Sequence, residues 1–147
     1  PRVLVANRSG LNQAQIRIGF QGPDIRSKDY YALSVINALF GEIFNSRLNK
    51  TIRDAMGLAY SSGSGFSYSR DFSSFGISTA TENRSTGKVV QKILELLKGL
   101  RISPITHQEV DDAKSYLLGS CFFYFFLLTK HKHIVLCFIR HINGVLN

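Results

Sequence analysis

Histidine and cysteine are scarce in the first 120 residues of this 147-residue chain: His107 is the one histidine there, and no cysteine occurs. A Cys-His nucleophilic pair is excluded from that region, and a Ser-His-Asp site would have to be built on His107. His107 falls in the first turn of an expected helix beside Glu109, where a surface histidine is the simpler expectation. Three prolines and 12 glycines are too few for a collagen or a low-complexity linker. The Gly63-Ser64-Gly65 stretch lacks the strand-GxxxxGK[ST]-helix order of a phosphate loop, so nucleotide binding has no support. No apolar run reaches the roughly 20 residues that span a bilayer, and no transmembrane helix is expected. Lys and Arg outnumber Asp and Glu by 18 to 10, a net charge of +8. The basic residues are scattered singly from Arg2 to Arg101 without an aromatic-basic signature, so no nucleic acid partner is expected.

What is present suits one globular domain. The chain is 44% hydrophobic, with 11 Phe and 6 Tyr, enough for a single core and not for two. It opens on Pro1 with no basic-then-apolar leader, so we expect its natural amino terminus to lie upstream, and the compartment is not legible. The acids stop at Asp112, although 10 in the first 112 residues would project to about three in the remaining 35. Cys121, Cys137, His131, His133 and His141 all lie beyond residue 120. The apolar runs at 121–128 and 134–139 are split by TKHKH. A buried core segment, a membrane-interfacial segment and out-of-frame sequence after a disrupted codon near Gly119 to Cys121 each account for part of this tail. The third accounts for the missing acids, the lost helical period and the FFYFF cluster together. We therefore expect a domain over 1–120 and an atypical apolar and basic tail over 121–147. The cysteine spacing matches no metal or redox motif, and His131-Lys132-His133 alone does not define a metal site.

Ala14, Ile16, Ile18 and Phe20 alternate with Gln13, Gln15, Arg17 and Gly19, which predicts a strand with one buried face. Residues 2–6 (RVLVA) predict another strand. Tyr31, Ser34, Val35, Ala38 and Leu39 recur at helical spacing up to about Phe44. SRLNKTIRDAMG predicts a second helix, with Leu48, Ile52 and Met56 on one stripe and Gly57 ending it. Phe66, Tyr68, Phe75 and Ile77 flank SRDFSS as the two strands of a hairpin. Val89, Ile93, Leu96, Leu97 and Leu100 predict an amphipathic helix that stops before Pro104. Thr106 and Glu109 have capping-box spacing ahead of Val110, Ala113 and Leu117. Asp111 and Asp112 diverge on that helix and favour its positive end rather than catalysis. The order β, α, α, β, β, α, α predicts an α+β fold, an antiparallel sheet with helices packed on one face.

The segment Arg47-Leu48-Asn49-Lys50-Thr51-Ile52-Arg53-Asp54-Ala55-Met56-Gly57-Leu58-Ala59-Tyr60 resembles the SRL…IRE…GLAY segment in the second half-domain of the insulinase and pitrilysin zinc metallopeptidases, which include the mitochondrial processing peptidases. The resemblance extends to QAQIRIGF at 13–20, YYALSVINALFGE at 30–42, FGISTATE at 75–82 and ITHQEVDDAKSYLLGS at 105–120. In that family an Arg and a Tyr separated by six intervening residues in the second half face the zinc-bearing half and hold the substrate. The resemblance implies that Arg53 hydrogen-bonds a carbonyl of the bound peptide. It likewise implies that Tyr60 donates its phenol to the oxyanion that develops at the scissile carbonyl. The competing assignment leaves Arg53 solvating a helix carboxyl end and Tyr60 as a half-buried strand aromatic. Arg47 is expected to be structural. Phe66 and Tyr68 are expected either to line the chamber or to join the core.

The inverted zinc motif H-x-x-E-H occurs nowhere in the sequence. We therefore expect no metal ligand and no cofactor in this chain. Zinc is expected in a partner half bearing H-x-x-E-H, as a separate subunit or a missing domain, and peptide as the substrate. By the same resemblance the half-domain is incomplete, lacking its final strand and last helix. Its expected role is that of the substrate-binding, non-zinc half of a metalloendopeptidase that is inactive alone. The rivals are a non-catalytic scaffold subunit of the same fold, as the core subunits of the mitochondrial cytochrome bc1 complex resemble peptidases, and an inactive gene remnant. A basic module using the aromatic tail on a membrane surface or nucleic acid is the rival from another class. The family's compartments are the bacterial periplasm or cytoplasm and the mitochondrial matrix.

Overall fold

The computed structural model describes residues 10–68 and 72–127. The strand expected at 2–6, the first three residues of the SRDFSS turn and the tail beyond residue 127 lie outside them. Strand β1 (Gln13–Gln21) is followed by helix α1 (Tyr30–Asn37) and helix α2, which begins at Arg47–Asn49. Strands β2 (Ser62–Tyr68) and β3 (Ser73–Glu82) come next, then helices α3 (Thr86–Gly99) and α4 (His107–Leu127). This is the expected order.

The three strands form an antiparallel sheet in the order β1-β3-β2. Registers pair Ile16 with Thr79, Ile18 with Ile77 and Phe20 with Phe75, while Ser64 and Phe66 on β2 also meet Ile77 and Phe75. The period-two pattern thus puts one side-chain set from all three strands on one face. The helices cover that face. Ile16 and Ile77 pack with Phe40, Leu48, Ile52, Val89 and Ile93 in one cluster, and Val35, Ala38, Leu39, Ile43 and Ala113 make a second against α4. Burial of each Val, Leu, Ile or Phe among these stabilises the fold by roughly 1.5–3 kcal/mol, before chain entropy is counted. The architecture is α+β, with helices on one face of an antiparallel sheet.

Both early helices widen where sequence periodicity predicts ordinary α-helix. Residues Ala38–Glu42 continue α1 as a π-helical turn, with the Ile43 amide donating to the Ala38 carbonyl at 3.1 Å. Residues Lys50–Ala55 continue α2 in the same way, and the Met56 amide donates to Thr51 at 3.0 Å. An i,i+5 turn inserts one residue into the helical count and rotates the next side chains about the helix axis. Ser46 caps α2 by accepting from the Asn49 amide at 3.3 Å. Gly57, at φ +62°, ends it as expected, and the Leu58 amide returns to the Ile52 carbonyl at 3.0 Å.

Helix α4 runs through the composition break at Gly119 to Cys121 and continues to Leu127, the last described residue. The break in acids is therefore not a break in the element. Cys, Phe, Tyr and Leu are all compatible with a helix, and no proline interrupts this stretch.

The capping box at the start of α4 is formed. The Thr106 amide donates to Glu109 Oε2 at 2.9 Å, and the Glu109 amide donates to Thr106 Oγ1 at 3.3 Å. Arg47 joins it from 62 residues away, with Nε 2.6 Å from Glu109 Oε1 and Nη2 2.8 Å from Oε2. Nη2 also donates to the Pro104 carbonyl at 3.0 Å. This bidentate pair ties the start of α2 to the start of α4.

The Arg47 guanidinium, followed by the Thr106 amide and hydroxyl, outweighs burial and holds the Glu109 carboxyl down at about 2 from an ordinary 4.5. A depressed carboxylate stabilises the fold fully above its unfolded pKa, and that contribution disappears as pH falls through the folded value. Glu109→Gln preserves the cap and removes the charge, so it is expected to cost about 1–2 kcal/mol at pH 7 after solvent screening. Urea unfolding of both proteins across pH 7 to 2 checks this. The stability gap should close between about pH 4.5 and 2; a gap that does not change with pH would show that the ion pair contributes nothing.

Candidate functional site

Arg53 lies in the π-helical last turn of α2, and Tyr60 lies between the Gly57 reversal and β2. Met56 and Gly57 turn the chain back, and Leu58 and Ala59 are half-buried against the main core cluster. Three hydrogen bonds pin the segment that carries Tyr60. Thr81 Oγ1 donates to the Leu58 carbonyl at 2.6 Å, Thr79 Oγ1 donates to the Ser61 carbonyl at 3.1 Å, and the Ser62 amide donates to Asn49 Oδ1 at 3.0 Å. Asn49, Thr79 and Thr81 are all buried. Each buried side chain bonds a backbone group of this segment, so the segment is held on both sides of Tyr60.

Tyr60 itself is 94% exposed and stands outside the strands, so it is not a half-buried strand aromatic. Arg53 does sit in the last turn of its helix, where a cation is favourable. Its side chain is nevertheless only 19% exposed. Nε donates to Asp54 Oδ1 at 2.6 Å and Nη2 to Oδ2 at 3.1 Å, while the guanidinium carbon lies 3.9 Å from the centroid of the Phe44 ring. The same contact holds the Asp54 carboxyl below its ordinary range and raises the guanidinium. Among the described residues no hydrogen bond joins Arg53 to Tyr60; what they share is the chain reversal at Gly57.

Phe66 and Tyr68 belong to an aromatic group on β2. Their rings lie 5.9 Å apart, Phe66 is 5.1 Å from Phe75, and Tyr68 is 5.2 Å from Tyr30. They also line a cavity of about 460 Å³ with Ser34, Asn37, Glu42 and Leu117. Both are half-buried, so they combine core packing with a cavity wall. The Tyr68 hydroxyl is buried without a partner among the described residues, and burial pushes it up to about 12. Glu42 also lines this cavity, where desolvation raises its carboxyl against hydrogen bonds from Asn37 at 2.7 Å and from Tyr116 at 3.4 Å.

His107 is exposed at the first residue of α4, as expected of a surface histidine. Among the described residues no group of three or more His, Cys, Asp or Glu side chains could hold a metal, and no helix is long and apolar enough to cross a membrane. Zinc does not fit the donor set that these residues offer.

Sequence reasoning missed Asn49, Thr79, Thr81 and Phe44. The two threonines alternate on the inward face of β3, a polar repeat where an apolar one belongs, and that alternation is a detectable signal. Asn49 and Phe44 leave none, because their partners are Ser62 and Arg53, brought near only by the fold.

The family model described as the peptidase M16 inactive domain matches residues 1–117. An uncharacterized zinc protease of Bacillus subtilis is 32% identical over 119 residues, which cover 79% of this chain and 28% of that protein. One of Mycobacterium leprae is 29% identical over 116 residues, 79% and 26% respectively. The crystal structure of a peptidase M16 inactive domain from Pseudomonas fluorescens is 29% identical, with a TM-score of 0.69 over 75% of this chain and 27% of that one. A Helicobacter pylori protease shares the fold, with a TM-score of 0.73 at 20% identity over 92% of this chain and 36% of that one. The chain spans under a third of the length of these curated relatives. A match over most of the chain, on a fold that the relatives' structures repeat, assigns it to the peptidase M16 family of zinc proteases, in which it represents the inactive domain.

Proposed function

We propose that this chain is the substrate-binding, non-zinc half of an insulinase-like zinc metalloendopeptidase, and that it acts only beside a zinc-bearing half with the H-x-x-E-H motif. Arg53 holds a carbonyl of the bound peptide, and Tyr60 donates its phenol to the oxyanion that develops at the scissile carbonyl. The observation that carries this reading is Tyr60: a tyrosine 94% exposed on a backbone pinned from both sides. A large aromatic left in water contributes little to the fold, while a rigid mount for its hydroxyl is what transition-state stabilisation requires. The chain carries no H-x-x-E-H of its own, so the metal chemistry falls to the other half.

The test is a pull-down with the full chain from its source cell, followed by zinc analysis and a peptide-cleavage assay of the eluate. An H-x-x-E-H protein should co-elute with about one zinc per complex and with cleavage activity. Recovery of the chain without zinc or cleavage would overturn the proposal and leave a scaffold subunit or a remnant.

A further inference from the structure

Phe44 is 73% exposed, although it comes directly after the buried Ile43. The two residues lie where the π-helical extension of α1 ends, and Ile43 is extended, with φ −78° and ψ 155°. Ile43 turns into the second core cluster, and Phe44 is left at the surface. Its ring does have a partner. The Arg53 guanidinium carbon lies 3.9 Å from the ring centroid, within reach of a cation–π contact. Arg53 Nη2 also approaches the Phe44 carbonyl at 3.5 Å.

We propose that Phe44 is a positioning residue for Arg53: its ring supports one face of the guanidinium while Asp54 occupies one edge, so that the remaining edge is presented to a peptide carbonyl. Asp54 takes Nε and Nη2 at 2.6 and 3.1 Å. Nη1 makes no hydrogen bond among the described residues, and its two N–H groups form the free edge. An arginine side chain has many rotamers and loses binding energy each time it must be ordered by its ligand. A ring on one side and a carboxylate at one edge remove most of that freedom beforehand. This inference rests on the substrate-binding reading of Arg53. It adds the residue on which that guanidinium rests.

The test uses Phe44→Leu, Phe44→Trp and Arg53→Ala in the full chain. In the first arm, proton NMR of the chain alone should show the Arg53 δ and ε protons shifted upfield by the Phe44 ring, and Phe44→Leu should abolish that shift. In the second arm, peptide cleavage is measured with the zinc-bearing half present. Phe44→Leu should lower kcat/KM by about 2- to 5-fold, mainly through KM, and Phe44→Trp should restore it because indole is the better cation–π face. In an Arg53→Ala background, Phe44→Leu should have no further effect. No upfield shift in the parent chain, a silent Phe44→Leu beside a costly Arg53→Ala, or an equal loss in both backgrounds would each overturn the inference alone. A silent Arg53→Ala, or no cleavage by the parent assembly, would overturn the functional reading and the inference with it.

Discussion

Tyr60→Phe is expected to lower kcat of the assembled peptidase by about 100-fold or more, with KM changed by less than a few fold. Removing one preorganised donor from a developing oxyanion costs roughly 3–4 kcal/mol in well-studied acyl-transfer sites. The phenol and the phenyl ring fill nearly the same space, so what is lost is a single hydrogen bond, made chiefly in the transition state. The exposure of Tyr60 makes this a clean experiment. At 94% exposure the hydroxyl takes no part in the fold, and thermal unfolding of the variant should match that of the parent. Steady-state kinetics on the chain combined with its zinc-bearing half provide the check. A loss confined to KM would make Tyr60 a ground-state contact, and no loss at all would remove it from the mechanism.

Arg53 is expected to behave differently. Its guanidinium already has a carboxylate at one edge and a ring at one face; on the role proposed above it holds the peptide in the ground state as well as the transition state, and its removal should act mainly on KM. A kcat effect for the tyrosine and a KM effect for the arginine would separate two roles that spacing alone cannot separate. Both residues hang on Gly57, whose φ of +62° ends one segment and begins the other.

The sequence patterns that proved legible are short in range. Alternation from Ala14 to Phe20 placed β1 and its buried face, and the registers with β3 agree with it. Thr106 and Glu109, three residues apart, announced their capping box, and Gly57 announced the end of α2. Even there the pattern overstated burial: Phe20 closes the alternation yet is 46% exposed at the end of its strand, stacked on Phe75. What stayed hidden depends on partners distant in sequence. Arg47 reaches Glu109 across 62 residues, and Asn49 meets Ser62 only after the chain has reversed. The π-helical turns were hidden for another reason. An apolar stripe at i and i+4 is nearly satisfied by either helical count, and for the turn after α1 the stripe does not record the close approach of Gly41 to Ser64 on β2.

Gly41→Ala tests that packing directly. Gly41 lies in the π-helical turn after α1, and a helical glycine replaced by alanine ordinarily stabilises by roughly 1 kcal/mol. Here the sign should reverse. A Cβ on Gly41 would sit 2.8 Å from Ser64 Cβ and 2.9 Å from the Ser64 amide nitrogen. Ser64 Oγ could rotate away, but the amide belongs to β2 and cannot. Rotation would also break the Ser64 hydroxyl's hydrogen bond to Asn37 Oδ1 at 2.7 Å, which costs about 1 kcal/mol more. Overpacking against a fixed backbone costs roughly 1–3 kcal/mol, so the net expectation is a loss of about 2 kcal/mol. In a domain of this size that corresponds to a drop in Tm of roughly 6–8 °C, readable by calorimetry. Gly87→Ala in the first turn of α3 is the control, because nothing lies within 4 Å of its Cβ position, and it should shift Tm by no more than a few degrees. If Gly41→Ala instead matched or exceeded the parent, α1 and β2 could move apart at little cost. The widened turn that sets the position of Phe44, and through it Arg53, would then be a consequence of loose packing rather than of a close helix-to-strand approach.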